Sequence, residues 1–379
     1  EVVGRRGWGA FYRLPKRIYA NDPQWVAPLL VEQKRLLAPG VNPFFRRGEA
    51  RAWISRSGGT VTGRIVAFID PTHNAFHDER TGFVGFFECI DDRATATALF
   101  DRSAEWLRAR GMDAVRGPVN LSLVNECGLL ASGFDSSPFV QMNHTPPYYL
   151  GLFESWGFRP SHRLLAYHVT VDDVNRNEAL TTRLQRVGQR LLAREGLTIR
   201  PLDKTHFDDE LQRVTRLYNA SMRENWGFVP ADEADIAFLG KSLRTIVDPD
   251  LISFVDINGS AVACALPVPD VNALPRRSDG RLSLPLLFKL LYRRRTITRL
   301  RLMLVGVVPG LRTRGIDALL YHRTITKAIE KGYETAELSW ISEGNANLMS
   351  ILEKFGARLY KTYFVYDRTL PRSGAAPAR

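Results

Sequence analysis

Apolar and polar positions begin to alternate regularly at residue 51. Alternating residues on both sides of Ser57-Gly58-Gly59 predict a β-hairpin, and a third strand is predicted from Gly82 to Cys89. Apolar residues at helical spacing over 93–110 then predict an amphipathic helix that ends at Gly111. A short strand at 114–116, a short helix near 148–156 and a strand at 164–171 follow. This order of elements predicts one compact α/β unit.

The second half of the chain repeats this plan after a helical stretch at 176–195. The predicted order is a strand at 197–201, helices at 207–222 and after Pro230, a hairpin around Asn258-Gly259, a strand at 300–308, a helix at 315–331, a strand at 335–340, a helix at 345–355 and a last strand to 366. We therefore expect a wrapping segment at 1–50, α/β domains at 51–172 and 198–370, a connector helix at 173–197, an insertion at 271–298 and a flexible tail at 371–379.

Composition narrows the class of protein further. The 379 residues are 45% hydrophobic, which is enough for two cores. Lys and Arg outnumber Asp and Glu by 52 to 40; this excess favours contact with phosphates, CoA, nucleic acid or an anionic membrane, or is simply a solvated basic surface. The three cysteines lack metal-site spacing and are expected to be core thiols in a reducing compartment. Neither a secretory start nor a run of ~20 apolar residues is visible, so we expect a cytoplasmic protein without a metal cofactor.

The sharpest motif lies at 307–316, where a predicted strand ends and a helix begins. Free backbone N–H groups and the helix dipole make such a junction suited to a pyrophosphate, and Arg312 and Arg314 would add positive charge. The alternative is a basic helix start without a ligand. The motif resembles the phosphate loop of the GNAT family of acyl-CoA-dependent N-acyltransferases, with Arg312 and Gly315 on matching positions. Asp317 stands where that family prefers Gly or Ala.

The resemblance to GNAT proteins covers residues 299–366 and implies roles for further residues. It assigns Val305, Val307, Ile316 and Asn345 to acyl-CoA binding, and Asn345 is also predicted to cap the helix that follows it. Leu352 occupies the position of the family's usual tyrosine acid, which makes Tyr360 and Tyr363 the alternatives. The candidate bases are Glu337 and Glu343, although each could equally be an ordinary solvated acid.

In the first half, the equivalent junction at 88–93 has no glycine and carries two aspartates. We therefore predict a mixed α/β fold with two GNAT-like halves in tandem, of which the N-terminal half lacks the phosphate loop. Glu126 and His144 lie on polar loops of this half and are further catalytic candidates, or structural residues. In the second half, Asn225, Trp226 and Phe228 form an aromatic loop that is either a lid over an apolar substrate or simple packing.

Residues 271–301 combine leucines with nine basic side chains and a single acid. This composition is typical of an element that lies in a membrane interface, and contact with an anionic membrane is predicted through 281–301. The alternative is a basic amphipathic helix packed on its own protein. The basic residues cluster with leucines rather than with exposed aromatics, so nucleic acid is not expected as a partner.

Shorter motifs spread over most of the chain resemble a bacterial group of long GNAT-like proteins, some of which are ceramide synthases. These motifs are Asn42-Pro43-Phe44-Phe45, Gly63-Arg64-Ile65, Gly85-Phe86-Phe87, Gly117-Pro118, Gly157-Phe158 and Ser339-Trp340. The resemblance implies transfer of a long-chain acyl group from acyl-CoA to the amine of a sphingoid-type base. The basic, apolar insertion adds the expectation of a peripheral position on the inner membrane. The alternatives are acetylation of a small amine or peptide, and acyl-CoA binding without catalysis.

Overall fold

The computed structural model describes residues 1–122, 125–274, 280 and 296–371. The chain forms two compact units. Of the described residues, the first unit contains 1–164 and 361–371, and the second contains 165–274 and 296–360. The strands at Arg159–Thr170 and Arg358–Thr369 each begin in one unit and end in the other.

The first unit is a mixed sheet with helices formed by the apolar stretches predicted above. Its helices are α1 (Gly4–Ile18), α2 (Leu30–Leu36), α3 (Pro71–His77), α4 (Arg93–Arg108) and α5 (Tyr148–Ser155), and its strands are β1 (Glu49–Ser57), β2 (Thr60–Ile69), β3 (Thr81–Cys89), β4 (Ala114–Gly117), β5 (Leu129–Ser132) and the start of β6 (Arg159–Thr170). Strands β1 to β3 pair antiparallel, and β4 pairs parallel to β3 after the α4 crossover. The end of β12 pairs with β4 and β5.

The second unit contains the remaining elements. Its helices are α6 (Val171–Arg176), α7 (Glu178–Leu192), α8 (Phe207–Ser221), α9 (Glu233–Leu243), α10 (Ile316–Glu330) and α11 (Ala346–Lys354), and its strands are β7 (Leu197–Pro201), β8 (Ser253–Ile257), β9 (Ser260–Pro269), β10 (Arg299–Val307), β11 (Thr335–Ser342) and the start of β12 (Arg358–Thr369). Strands β7 to β10 pair antiparallel in order, and β11 pairs parallel to β10 after the α10 crossover. Strand β6 follows β11 in the strand order.

These elements confirm the predicted fold class, a mixed α/β fold with two similar halves. Both hairpin turns and the helices over 93–110, 315–331 and 345–355 lie where they were predicted, within a few residues. Helix α3 and strand β5 were missed. Strand β5 has only four residues and lies in a loop-rich stretch, and α3 begins behind an Asp70 N-cap that was not recognised. Residues 275–279, 281–295 and 372–379, which hold most of the predicted insertion and tail, lie outside the described residues.

Each unit has its own buried core. In the first, aromatic residues of β3, α4 and α5 pack around Phe100, Phe153 and Phe158, and Tyr366 of β12 joins them. In the second, aliphatic residues of α10 pack on β8, β9 and β10. Cys89, Cys127 and Cys264 are buried free thiols, as predicted. Among the described helices, none is both long enough and apolar enough to span a bilayer.

Candidate active site

The junction between β10 and α10 has the backbone geometry of an anion-binding turn. Thr313 and Gly315 both have left-handed backbones, with φ of +63° and +85°. Helix α10 begins at Ile316, and no side chain of the described residues caps its first turn. The first backbone N–H groups of α10 therefore remain available for a pyrophosphate, where the helix dipole is positive.

The two arginines of this junction, Arg312 and Arg314, differ in their contacts and exposure. The guanidinium of Arg312 donates a hydrogen bond to the Ser221 carbonyl oxygen at 2.8 Å and pairs with the Glu224 carboxylate, so it lies against the end of α8. Arg314 is exposed beside the turn. Asp317 faces Tyr321 one turn along α10; burial, and then the charge of Asp317, raise the pKa of that tyrosine. Arg314 is therefore the arginine with the freer side chain next to the open helix end.

The corresponding helix end in the first unit is closed. Asp92 caps α4, and its carboxylate accepts a hydrogen bond from the Thr95 N–H at 2.8 Å. A carboxylate at this position occupies the helix end and repels a second anion. The geometry agrees with the prediction that the N-terminal half has no phosphate loop.

Strands β10 and β11 separate before they reach the phosphate junction. Their parallel pairing ends at Leu302 and Leu338, although β10 continues to Val307. The Val308 N–H donates to Val262 of β9 at 3.1 Å. Because amides alternate in direction along a strand, those of Val305 and Val307 point away from β9, toward the side of β11. An extended amide-containing ligand, such as the pantetheine arm of CoA, can hydrogen-bond there.

A buried polar network lies beside the point where these strands separate. Glu337 of β11 is fully buried, and Oε1 of its carboxylate accepts a hydrogen bond from the Ser339 hydroxyl at 2.6 Å. The Tyr360 hydroxyl donates to Oε2 of the same carboxylate. Nε of Arg301 donates to the Ser339 hydroxyl at 2.9 Å and lies 3.6 Å from Glu337 Oε1. The positive charge of Arg301 thus compensates a buried carboxylate that is also bonded to a tyrosine.

A histidine ring lies next to this network. The ring centroid of His168, on β6, lies 5.6 Å from that of Tyr360. Burial, and then the positive charge of Arg299, lower the pKa of His168. The neutral imidazole is therefore favoured at neutral pH, where it can accept or donate a proton.

The opposite face of the same strands lines an apolar pocket. Side chains alternate between the two faces of a sheet, so Leu302 and Leu338 lie on the face away from Arg301 and Glu337. The pocket encloses about 720 Å³ of empty space, part of it open to solvent, and its accessible surface is entirely apolar. Its walls come from β6, β10, β11, α6, α10 and α11. They include Leu302, Leu338, Ala328, Ala336 and Leu352.

The predicted catalytic residues fall into two groups. Glu337 and Tyr360 meet in the second unit, and Glu343 lies exposed in the turn before α11. In the first unit, Tyr363 is fully buried, and its hydroxyl donates to the Asn143 carbonyl oxygen at 3.4 Å.

The other two candidates of the first unit have polar partners of their own. His144 follows Asn143 in the chain, and its Nε2 lies 2.7 Å from the Asp22 carboxylate. Burial lowers the pKa of His144, whereas the hydrogen bond to Asp22 opposes this shift. Glu126 accepts a hydrogen bond from the Asn120 amide at 3.0 Å.

The predicted binding residues also have definite positions. Asn345 caps α11, as predicted, and its side chain accepts a hydrogen bond from the Leu348 N–H at 3.2 Å. In the loop after α8, Phe228 is buried against Tyr218, Trp226 is half-buried and Asn225 is exposed. The packing of Phe228 favours a structural role for that residue over a role in a lid.

Sequence reasoning placed one residue wrongly and missed another. Arg301 was grouped with the basic residues predicted to contact a membrane, but its side chain is buried in β10 and bonded to Ser339. The sequence did contain a signal for this burial, because Arg301 lies between the core residues Leu300 and Leu302 inside a predicted strand. His168 gave no sequence signal, because its partners lie on strands distant in the chain.

The described part of the chain contains no cluster of three or more His, Cys, Asp or Glu side chains arranged to hold a metal ion.

Solved structures with a similar fold are tandem or related N-acetyltransferases. A tandem GNAT protein from the clavulanic acid biosynthesis pathway aligns with a TM-score of 0.56 and 12% identity over 96% of this chain and 95% of its own. A GCN5-related N-acetyltransferase from Sphaerobacter thermophilus aligns with a TM-score of 0.51 and 13% identity over 95% and 92%. These solved structures show the class of fold: the chain has a tandem GNAT fold.

Two curated proteins are related along nearly the whole chain. The bacterial ceramide synthase of Caulobacter vibrioides is 35% identical over 371 residues, covering 95% of this chain and 94% of that protein. Protein YghO of Escherichia coli is 30% identical over 367 residues, covering 95% and 92%. No family model matches the sequence. The chain belongs to the family of the Caulobacter bacterial ceramide synthase.

Proposed function

We propose that this protein transfers a long-chain acyl group from acyl-CoA to the amine of a sphingoid-type base, a step of sphingolipid synthesis. The observation that carries the chemistry is the buried pair of Glu337 and Tyr360 beside the separating strands. It supplies a base and an acid at the place where the fold exposes strand amides. The substrate class is supported by the 35% identity to a protein named bacterial ceramide synthase.

The proposed reaction is direct attack of the amine on the thioester. The first-turn N–H groups of α10, together with Arg314, hold the pyrophosphate of CoA, and the amide of Val305 or Val307 holds the thioester carbonyl oxygen. Asn345, which caps α11, contacts the pantetheine arm of CoA in this proposal.

Proton transfers accompany the attack. The neutral amine attacks the carbonyl carbon, and Glu337 takes one proton from the amine nitrogen as the N–C bond forms. The C–S bond breaks, and the CoA thiolate takes the hydroxyl proton of Tyr360. The proton on Glu337 passes to the tyrosinate through their hydrogen bond, which regenerates both groups.

The proposal is tested by supplying the purified chain with palmitoyl-CoA or acetyl-CoA and either a sphingoid base or a small polar amine. We expect CoA thiol release and N-acyl product, measured by mass spectrometry, only with the long-chain pair. Turnover with acetyl-CoA and the small amine, and none with the long-chain pair, would sink the lipid assignment.

A second candidate is acyl-CoA binding without catalysis. The observations that favour it are Asp317, which adds negative charge next to the proposed pyrophosphate site, and Leu352 at the position of the family's usual tyrosine acid. Tight acyl-CoA binding in calorimetry together with no thiol release across a broad panel of amines would establish this alternative.

We also propose that the chain works at the cytoplasmic side of the inner membrane and touches anionic lipid through the basic residues of 281–295. Arg301 takes no part, because it is buried. Co-sedimentation should show binding to phosphatidylglycerol vesicles that is lost in pure phosphatidylcholine and weakened by salt. Equal binding to both vesicle types would remove the electrostatic basis of this proposal.

A further inference from the structure

The apolar pocket between α10, α11 and the starts of β10 and β11 has no role in the chemistry described above. We propose that it holds the alkyl chain of the acyl-CoA, an inference that rests on the proposed long-chain acyl transfer. Its walls belong to one unit and to the helices that flank the proposed CoA site. The pocket would make acyl-chain length a property of the second unit alone.

The position of the pocket matches the path of an acyl chain. Leu302 and Leu338 are the last paired residues before β10 and β11 separate, and both line the pocket. A thioester carbonyl held by the amide of Val305 or Val307 lies just beyond this pair. A chain that leaves the carbonyl toward the paired ends of the strands passes these two leucines and enters the pocket.

The sheet separates this chain from the acceptor. The amine must reach Glu337, which lies on the face opposite the pocket. The acyl chain and the sphingoid base therefore lie on different faces of the sheet. This assignment gives the pocket to the acyl donor and not to the acceptor.

Leu352 supplies an independent argument. It occupies the position where many GNAT enzymes carry the tyrosine acid, and here it is buried and lines the pocket. A hydroxyl at this point would place a polar group in an otherwise apolar wall, which is unfavourable without a partner. The exchange of tyrosine for leucine thus suits an alkyl ligand, and the acid function moves to Tyr360 on the other face.

The apolar lining of the pocket sets how strongly the length of the acyl chain should affect affinity. Burial of each methylene is worth about fourfold in affinity at most. Affinity for acyl-CoA should consequently rise steeply from acetyl to palmitoyl.

The test fills the pocket from two sides. Ala328→Trp places an indole in it from α10, and Ala336→Phe places a ring in it from β11. Ala98→Trp, at an exposed position of α4, is the matched control. Binding of acetyl-CoA and palmitoyl-CoA is measured by calorimetry below the concentration at which the thioesters form micelles. Thermal unfolding shows whether each variant folds.

We expect wild type and A98W to bind palmitoyl-CoA at least about 100-fold more tightly than acetyl-CoA. In A328W and A336F this ratio should fall to less than about 10-fold, with acetyl-CoA affinity unchanged. An unchanged ratio in two folded variants would overturn the inference. So would a loss confined to the KM for the sphingoid base, because the pocket would then belong to the acceptor.

The binding readout separates this inference from the proposed function. If wild type transfers palmitoyl groups and the filled variants keep the palmitoyl preference, the pocket assignment fails while the function stands. If wild type transfers no long acyl group and the variants still lose the palmitoyl preference, the function fails while the assignment of the pocket stands.

Discussion

Gly315 offers the most direct test of the phosphate junction. Its φ of +85° is costly for any residue with a side chain, and an added Cβ would lie 2.7 Å from Cγ1 of Val187 on α7. The left-handed backbone costs an L-residue about 1–2 kcal/mol, and overpacking adds about 1–3 kcal/mol. Gly315→Ala should therefore either lose about 2–5 kcal/mol of unfolding free energy or relieve the strain by moving the turn.

Two measurements distinguish these outcomes. Urea unfolding reports the loss of stability, and calorimetry with acyl-CoA reports whether the first-turn N–H groups of α10 still meet the pyrophosphate. We expect either the full destabilisation with affinity preserved, or a smaller one with acyl-CoA bound at least about tenfold more weakly. Gly310→Ala in the same loop is the control, because no atom lies within 4 Å of its added Cβ.

A double variant separates the two causes. Val187→Ala removes the close contact but leaves the left-handed backbone, so Gly315→Ala combined with Val187→Ala should recover the overpacking part, about 1–3 kcal/mol. If Gly315→Ala matched wild type in both stability and affinity, the junction would not depend on this glycine and our reasoning would be wrong.

Three further predictions concern catalysis, pH and capping. Glu337→Gln and Tyr360→Phe should each lower kcat about 10²- to 10⁴-fold with little change in KM, and parallel losses in KM would argue for a binding role. Burial, and then the charge of His77, lower the pKa of His73 to about 4, below its ordinary 6.5. The unfolded chain thus binds more protons, so this stabilisation is present above pH 6.5 and is lost as the pH falls toward 4; His73→Gln should flatten urea-unfolding free energies across that window. Asn345→Ala should cost about 0.5–2 kcal/mol of stability and Asn345→Asp much less, whereas equal losses would contradict the capping role.

Local patterns in the sequence were sufficient for the fold and for the turn between β10 and α10. Glycine permits the left-handed backbone of that turn and Asn accepts the hydrogen bond that caps a helix, so the turn at Gly315 and the cap at Asn345 could be predicted from a few neighbouring residues. The tandem arrangement followed from the order of elements in the two halves.

The buried network could not be predicted in this way. Glu337 and Tyr360 were each named as candidates, but their contact depends on strand register, which links residues 23 positions apart. Arg301 was misjudged because its neighbours in sequence are basic, whereas its neighbours in space are Ser339 and Glu337. The pocket depends on six elements at once and has no local motif.

The first unit contains a strand that is translated long after the rest of that unit, and this order affects how the unit folds during synthesis. The core of the first unit includes Tyr366, and β4 pairs with β12 at residues 366–369. A ribosome that has released only residues 1–164 has therefore not yet supplied a strand of the first unit. Native pairing of this unit must wait for residues 366–369, and long separations of this kind slow folding. We expect the two halves to fold as one cooperative event after synthesis, with a nascent first unit that exposes an unpaired strand edge.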